Sequence, residues 1–387
     1  MATAIFVSAL PGEIRAAAVT DDTLCDVLVL REGSAVEAGD LFLARVKRFD
    51  KGLDGAFVDL GLERDGLLPK KEMPGDVPPE GAAVAVRVLR APAADKGARV
   101  SARGVAAETK GVKAPARLAA GAGALGDLIA RRQPARIVCD DAALLKDLKG
   151  LAGADCAAAL HSAATPLFEA EGLEAEIEAL LAPRVALPGG GFLLIEPGQT
   201  LTAIDVNAGS SDGRGGPAAQ ASAVNRAAVP EIARQLRLRA LSGLIVVDFL
   251  AVKAPEARKA LAAALRQALQ DDPEPCQVFG VSPSGLLEMT RRRGRAPLHE
   301  ILCRPCGIAG SGRVKAPETL AYEALRATAA GALGRVVTTI TLKAAPAVAA
   351  ALSGPQAAAL AAVEHRLGRA VEVVADPLVE TYALVLN

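Results

Sequence analysis

The chain has 387 residues, 51 % of them hydrophobic, enough for sizeable cores in roughly two to four domains. Its 44 basic and 44 acidic residues cancel, which excludes a global basic field and leaves local clustering as the source of any nucleic-acid surface. No uninterrupted apolar run of about 18 residues and no charged leader with an apolar core occurs, so the expectation is a soluble, cytoplasmic protein without a membrane segment.

Residues 4–10, 14–19 and 23–30 read as three strands of an antiparallel meander, with Pro11-Gly12 as the first turn. From 39 to 72 short strand-like runs are punctuated by Gly52, Gly55, Gly61 and Gly66, the spacing of a small β-barrel. Residues 100–134 are rich in Gly and Ala and read as a linker or a degenerate remnant. A strand at 135–141, a helix at 143–151 and a strand at 157–161 follow. Leu173, Ile177, Leu180 and Leu181 then recur at helical spacing, with Glu171, Glu174 and Glu178 on an outward, solvated face.

The stretch 201–253 carries the chemistry. Two β-favouring runs, 202–206 and 243–249, each bear an aspartate, Asp205 and Asp248, and Asn207 follows the first. An aspartate at a strand end is often only a turn former or a helix cap. Two of them after wholly apolar strands are a different matter: drawn toward buried positions, they need neutralising, and one hard cation does that for both. If the strands are neighbours, the pair and the Gly-rich loop 209–216 make a hydrolytic metal site. Between the strands lies a helix at 221–241, anchored by Ile232, Leu236 and Leu238 and stopped by Gly243. Pro230 either kinks this helix or begins its well-formed part as the first helical residue, with Glu231 in the first turn.

Basic clusters occur at Arg234, Arg237 and Arg239, and at Arg291, Arg292, Arg293 and Arg295; each is either a nucleic-acid-facing patch or a solvated helix face. Glu288 is read as an arginine's ion-pair partner in preference to a third metal ligand. Cys303 and Cys306 form the one close cysteine pair, a CxxC followed by Gly307, Gly310 and Gly312. Two thiolates at that spacing chelate Zn²⁺, but a structural site needs four ligands, and His299, four residues before Cys303, is the intrachain candidate for a further one. The other four cysteines read as small buried hydrophobes. Residues 317–387 read as a small α/β domain.

At AIDVNAG (203–209) and NRAAVPEIARQLRLRALSGLIVVDF (225–249) the chain resembles the ribonuclease E/G family. The likeness continues through GAFVDLG (55–61), GLLEM (285–289), the CxxC and HRLGRAVEVVADPLVETYALV near the end. The resemblance implies an α+β multidomain fold: an S1-like RNA-binding barrel (36–100) inserted in an RNase H-like domain (1–35 and 135–185). A linker or sensor remnant (101–134), a DNase I-like catalytic α/β domain (186–300), a zinc knuckle (301–315) and a small C-terminal domain (316–387) complete it. It implies a Mg²⁺-dependent endoribonuclease of RNA processing or decay that cuts single-stranded RNA and leaves 5′-phosphate ends. Asp205 and Asp248 match the metal-binding aspartates, Asn207 their companion, and Phe57 and Lys96 the aromatic and basic positions of the barrel; Lys47, with Arg48 and Lys51, could track phosphates beside them, and Arg234 and Arg237 add cations. Phe57 as ordinary barrel core is the competing reading. The knuckle implies a zinc-linked homodimer or dimer of dimers.

Four departures from the family pattern stand out. The barrel has Leu60 and Leu67 where further aromatics are expected, so its stacking platform is thin. No Val-Arg-Thr-like run occurs between the barrel and residue 135, so the 5′-monophosphate sensor is expected to be missing. Residues 249–253 contain no acid after Asp248, and the proline of CRPC is displaced by one place. A catalytically eroded RNA-binding relative is therefore the alternative, against which the joint retention of Asp205, Asn207 and Asp248 argues.

Overall fold

A computed structural model describes residues 2–31, 36, 39–90, 92, 97–105, 109–119, 122–153, 155–209, 216–252, 254–282, 284–306, 312–332 and 337–386. The chain divides into two compact units, Met1–Glu174 with His299–Asn387, and Ala175–Leu298.

The first unit opens with β1 (Thr3–Leu10), β2 (Glu13–Thr20) and β3 (Thr23–Arg31), an antiparallel meander. Next come β4 (Leu41–Asp50), β5 (Gly55–Asp59), β6 (Gly66–Pro69), β7 (Ala83–Arg90) and β8 (Arg99–Ser101). They pair in the order β4-β5-β6-β8-β7 and back to β4, a closed five-stranded barrel around Phe42, Val46, Val58, Leu68, Val86 and Val100. Closure removes the free edges that would otherwise invite pairing with other chains.

Residues 101–134, expected to be a linker or a remnant, carry one strand and one helix among the described residues and so are not a bare linker. Strand β9 (Ala116–Ala119) adds to β4 outside the barrel. Helix α1 (Ala122–Arg132) buries Leu125, Leu128 and Ile129, a stripe at i, i+3, i+4, in a shared core with Ile5, Val7 and Ile137. The surrounding alanines and glycines mask that stripe in a compositional reading. Then β10 (Arg136–Cys139), α2 (Ala142–Ala152) and β11 (Ala157–Leu160) return the chain to the meander. Asp141 caps α2 by accepting from the Leu144 amide at 2.7 Å. Parallel pairing of β10 with β1 and of β11 with β10 gives a five-stranded sheet, β11-β10-β1-β2-β3. The barrel is thus an insertion between two pieces of one sheet.

After α3 (Leu167–Ala170), α4 (Leu173–Ala179) carries Glu174. Its carboxylate is no solvated spectator: Arg15 donates to it at 2.6 and 3.0 Å.

The second unit is a six-stranded sheet, β12-β13-β14-β15-β17-β16. Its elements are β12 (Arg184–Ala186), β13 (Phe192–Pro197), β14 (Leu201–Asn207), α5 (Pro217–Leu238), β15 (Gly243–Asp248), α6 (Pro255–Ala268), β16 (Cys276–Val281) and β17 (Leu286–Arg291). Strands β14 and β15 are parallel, so α5 is their crossover. Ile204, Val206, Ile245, Val247, Leu287 and Met289 on one sheet face pack with Val224, Ile232 and Leu236 of α5 and Leu261 and Leu265 of α6. Helix α5 starts at Pro217 and runs through Pro230, so Pro230 is an interior residue and not a start. The helix also ends before Gly243. Ala240 adopts φ 53°, and the Leu241 amide reaches back to the Leu236 carbonyl at 3.0 Å, a left-handed cap made without glycine.

Helix α7 (Leu298–Leu302) leads into the hairpin of β18 (Cys303–Cys306) and β19 (Gly312–Lys315). In the closing part of the first unit, α8 (Pro317–Ala332), α9 (Pro346–Ser353) and α10 (Ala357–Leu367) accompany a sheet of β20 (Ile340–Ala344), β21 (Glu372–Ala375) and β22 (Tyr382–Leu386), in the order β21-β20-β22. A buried ionic cluster joins this part to the meander: Glu13 accepts from Arg31 at 2.7 Å and is ion-paired with Arg326 of α8. Among the described residues no single helix is long and apolar enough to cross a membrane.

Candidate active site

Strand alternation builds the site. On β14, Thr202, Ile204 and Val206 point into the core, and on β15 Ile245 and Val247 do. The intervening residues face the other way, which puts Asp205, Asn207 and Asp248 on the sheet face not occupied by the core. Asp205 and Asp248 are register partners, so their backbones lie about 4.8 Å apart. The Asn207 amide donates to Asp205 Oδ2 at 2.8 Å. The two carboxylates are brought together as the sequence suggests, but not by burial. Both residues are exposed, because strand period and not the apolar run decides which way they point.

Backbone contacts hold this edge. Gly209 has φ 64°, and a Cβ there would lie 2.0 Å from the Gly190 carbonyl oxygen, so the segment just after Asn207 lies against the Gly189–Gly191 turn through a contact that only glycine permits. The remainder of the Gly-rich loop, residues 210–215, lies outside the described residues.

Two neighbours of Asp248 were not singled out in the sequence. Asn225 of α5 is buried and clamps the backbone just beyond Asp248: its amide nitrogen donates to the Leu250 carbonyl at 2.8 Å, and its oxygen accepts from the Leu250 amide at 3.0 Å. Arg258, in the first turn of α6, lines a cavity of about 320 Å³ together with Asp248, Leu250, Val281 and Ser284. A buried asparagine within an apolar helical stripe is the signal for the first; nothing in the sequence distinguishes the second from other helical arginines.

The basic clusters separate into structural and open residues. Arg239 is buried, donates to Gln235 at 2.6 Å and to the Ala182 carbonyl at 2.8 Å, and burial lowers its pKa to about 10. Arg291 is buried against Asp272, with contacts of 2.8 to 3.1 Å, and also donates to the Leu241 carbonyl. Neither can face RNA. Arg234 and Arg237 are half-buried; Arg234 donates to Glu231 at 3.1 Å, and the Arg237 carbonyl accepts from Arg295. Glu288 lies on the same face as the aspartates, and among the described residues it has no arginine ion pair and no cluster of three or more metal-ligating side chains occurs.

On the barrel, Phe57 lies outside the core that Ala56 and Val58 help to fill. It pairs across the strands with Arg48, whose guanidinium stands 4.4 Å from the ring centroid. A register shift between Val46 and Arg48 leaves Lys47 and Arg48 both exposed beside that ring. Lys47 donates to Asp65 at 2.7 Å, and this hydrogen bond raises its pKa. Lys96 lies outside the described residues. Cys303 and Cys306 are the ends of β18, both half-buried; residues 307–311 of the knuckle lie outside the described residues.

Residues 105–294 match the Ribonuclease E/G family and residues 35–103 the S1 RNA binding domain. Ribonuclease G of Salmonella typhimurium (strain SL1344) is 36 % identical over 219 residues, 56 % of this chain and 45 % of that protein. Ribonuclease E of Buchnera aphidicola is 38 % identical over 170 residues, 43 % of this chain and 19 % of the relative. A chloroplastic Ribonuclease E/G-like protein of Arabidopsis thaliana is 38 % identical over 163 residues, 41 % and 16 % respectively. The chain spans less than half the length of these relatives.

Proposed function

The chain belongs to the ribonuclease E/G family, and from that premise we propose that it is a Mg²⁺-dependent endoribonuclease of single-stranded RNA. One observation carries the reading: Asp205 and Asp248 are register partners whose side chains share one exposed sheet face. Two carboxylates one strand spacing apart and open to solvent fit Mg²⁺, which takes one or two protein carboxylates and keeps several waters. A bound Mg²⁺ would supply an acidified water and neutralise phosphate charge. Asn207 donates to Oδ2 of Asp205, and Asn225 fixes the backbone beyond Asp248. The barrel would hold the strand through Phe57, Lys47 and Arg48. Products with 5′-phosphate and 3′-hydroxyl ends follow from attack by water on phosphorus with the 3′ oxygen as leaving group.

Indifference to the 5′ end belongs to the same reading, since the described residues between β8 and β10 supply one strand and one helix. Cys303 and Cys306 would contribute two thiolates to a Zn²⁺ site completed by a second copy of the chain, which gives a homodimer. One metal equivalent per chain, or none, in the purified protein would argue against a site shared by each pair.

A second reading, binding without cleavage, is favoured by one observation: Phe249, Leu250, Ala251 and Val252 provide no acid beside Asp248. Incubation of a 5′-labelled, A/U-rich single-stranded RNA with and without Mg²⁺ separates the two. Internal cuts that require Mg²⁺ support the nuclease; stable binding with intact RNA supports the second reading. Equal rates on 5′-hydroxyl and 5′-monophosphate RNA support the loss of end sensing.

A further inference from the structure

The chain has eight phenylalanines, two tyrosines and no tryptophan, and among the phenylalanines one is left in the open: Phe279 is 55 % exposed. It sits on β16 at a bulge, since Val278 pairs with Met289 and Gly280 with Glu288 while Phe279 is the extra residue between them. Val278 belongs to the helix-covered core, and Val281 packs against it. The bulge therefore turns both Phe279 and Gly280 to the opposite face. That face is the one that carries Asp205, Asn207, Asp248 and Glu288. Phe279 lies across β17 from β15: Glu288 pairs with Gly280 on one side and with Val246, two residues before Asp248, on the other. Strand spacing and rise then place Phe279 about 12 Å from Asp248. Leu244, 41 % exposed, stands on the same face.

A phenylalanine held at a bulge beside two carboxylates, with its ring open, is poorly accounted for by folding. Burying such a side chain stabilises by roughly 1.5–3 kcal/mol, and here that is forgone. Bulges re-aim side chains next to active sites, and an exposed aromatic beside a phosphodiester-cleaving centre has one chemically matched occupant, the π-face of an unpaired base. The geometry points to Phe279 as a stacking platform for a base of single-stranded RNA next to the scissile phosphate. Resting on the nuclease reading above, it makes the second unit a substrate-gripping element in its own right. The strand is held by stacking on one side of the aspartate pair. Because every base has a π-face, the contact is tolerant of sequence and selects unpaired over paired RNA. The acidic neighbours Asp205, Asp248 and Glu288 make an ionic grip on phosphate unfavourable there without a bound cation, which leaves stacking as the means of attachment.

The test compares Phe279→Ala, Phe279→Leu and Phe279→Trp in the full chain. The probes are a fluorescent single-stranded oligoribonucleotide and the same strand in a duplex. Affinity is read in chelator, where the RNA stays intact, and KM and kcat in Mg²⁺. Stacking on a base predicts about a tenfold loss of single-strand affinity and a matching rise of KM in the Ala and Leu variants, near-wild-type values for Trp, and no change in duplex affinity. Thermal stability should be unchanged in all three, since the side chain is exposed. Full affinity and unchanged KM in Phe279→Ala would overturn the inference, as would full recovery by Leu, which has apolar bulk but no π-face. Absence of Mg²⁺-dependent cleavage in the wild type would instead overturn the nuclease reading, and the chelator measurement would still decide the role of Phe279.

Discussion

Asp205 and Asp248 stand directly opposite each other on neighbouring parallel strands, with 42 residues of chain, including all of α5, between them. Because both are exposed and neither belongs to the core, their charge can be removed without unfolding the sheet. Asp205→Asn and Asp248→Asn should each lower Mg²⁺-dependent cleavage at least about a hundredfold, the scale of losing one group that stabilises transition-state charge. RNA affinity in chelator and the melting temperature should stay at wild-type values. Cleavage surviving in either variant would remove the pair from the chemistry.

Asn225 is a positioning residue, two hydrogen bonds from the backbone that follows Asp248. Asn225→Ala leaves the amide and the carbonyl of half-buried Leu250 without their partners, a cost of up to about 1–3 kcal/mol. A purely structural loss would end there. If the clamp also holds Asp248 in place, the Mg²⁺ concentration for half-maximal cleavage rises severalfold in folded Asn225→Ala, while KM for RNA is unchanged. An unaltered Mg²⁺ requirement would confine Asn225 to stability.

The site was legible where chemistry and period coincide and illegible where only burial decides. Asp205 and Asp248 stand out because two β-favouring runs each carry one acid, but composition alone makes those runs look apolar throughout. Their alternation, Thr202, Ile204 and Val206 inward and Asp205 outward, turns both acids away from the core, so the expected burial does not hold. The barrel followed from glycine spacing, whereas α1 was hidden by the alanines around Leu125, Leu128 and Ile129. Arginine identity says nothing about direction: Arg239 and Arg291 read as members of basic clusters and are instead buried supports. Phe279 has no signal in the sequence, since a bulge that turns a side chain outward has no compositional mark.

Arg291 separates the structural from the RNA-binding arginines. Its guanidinium and the Asp272 carboxylate are 4 % and 0 % exposed, so removing one partner leaves a buried charge uncompensated, a loss of about 3–5 kcal/mol. Arg291→Met should lower the urea midpoint of unfolding in proportion, while the salt dependence of RNA binding keeps its slope. A protein that stays folded but loses one unit of that slope would mean that Arg291 contacts phosphate after all.

On the barrel, Phe57 has one face under the Arg48 guanidinium and sits outside the core. Phe57→Ala should weaken single-stranded RNA binding by the roughly 1–3 kcal/mol of one stacked base. Arg48→Ala should weaken it less and reduce the salt slope by about one. Equal affinity of Phe57→Ala and wild type in a titration at fixed salt would leave the barrel without a stacking role.

The Glu13 cluster predicts how the first unit responds to acid. Burial by itself raises the carboxyl, but Arg326, Arg31 and Arg15 outweigh it and hold the Glu13 pKa below its ordinary value. Glu174 is lowered in the same way by Arg15 against its burial. A carboxyl depressed in the folded state contributes stability that is complete above its unfolded pKa, about 4.3, and is lost as pH falls through the lower folded value. Unfolding followed by urea between pH 7 and pH 2 should therefore show a plateau down to about pH 5 and a decline below it. Glu13→Gln removes the charge that Arg31 and Arg326 share, so it should cost about 3–5 kcal/mol at pH 7 and flatten the acid limb. An acid limb as steep in Glu13→Gln as in the wild type would assign the acid sensitivity to other carboxylates.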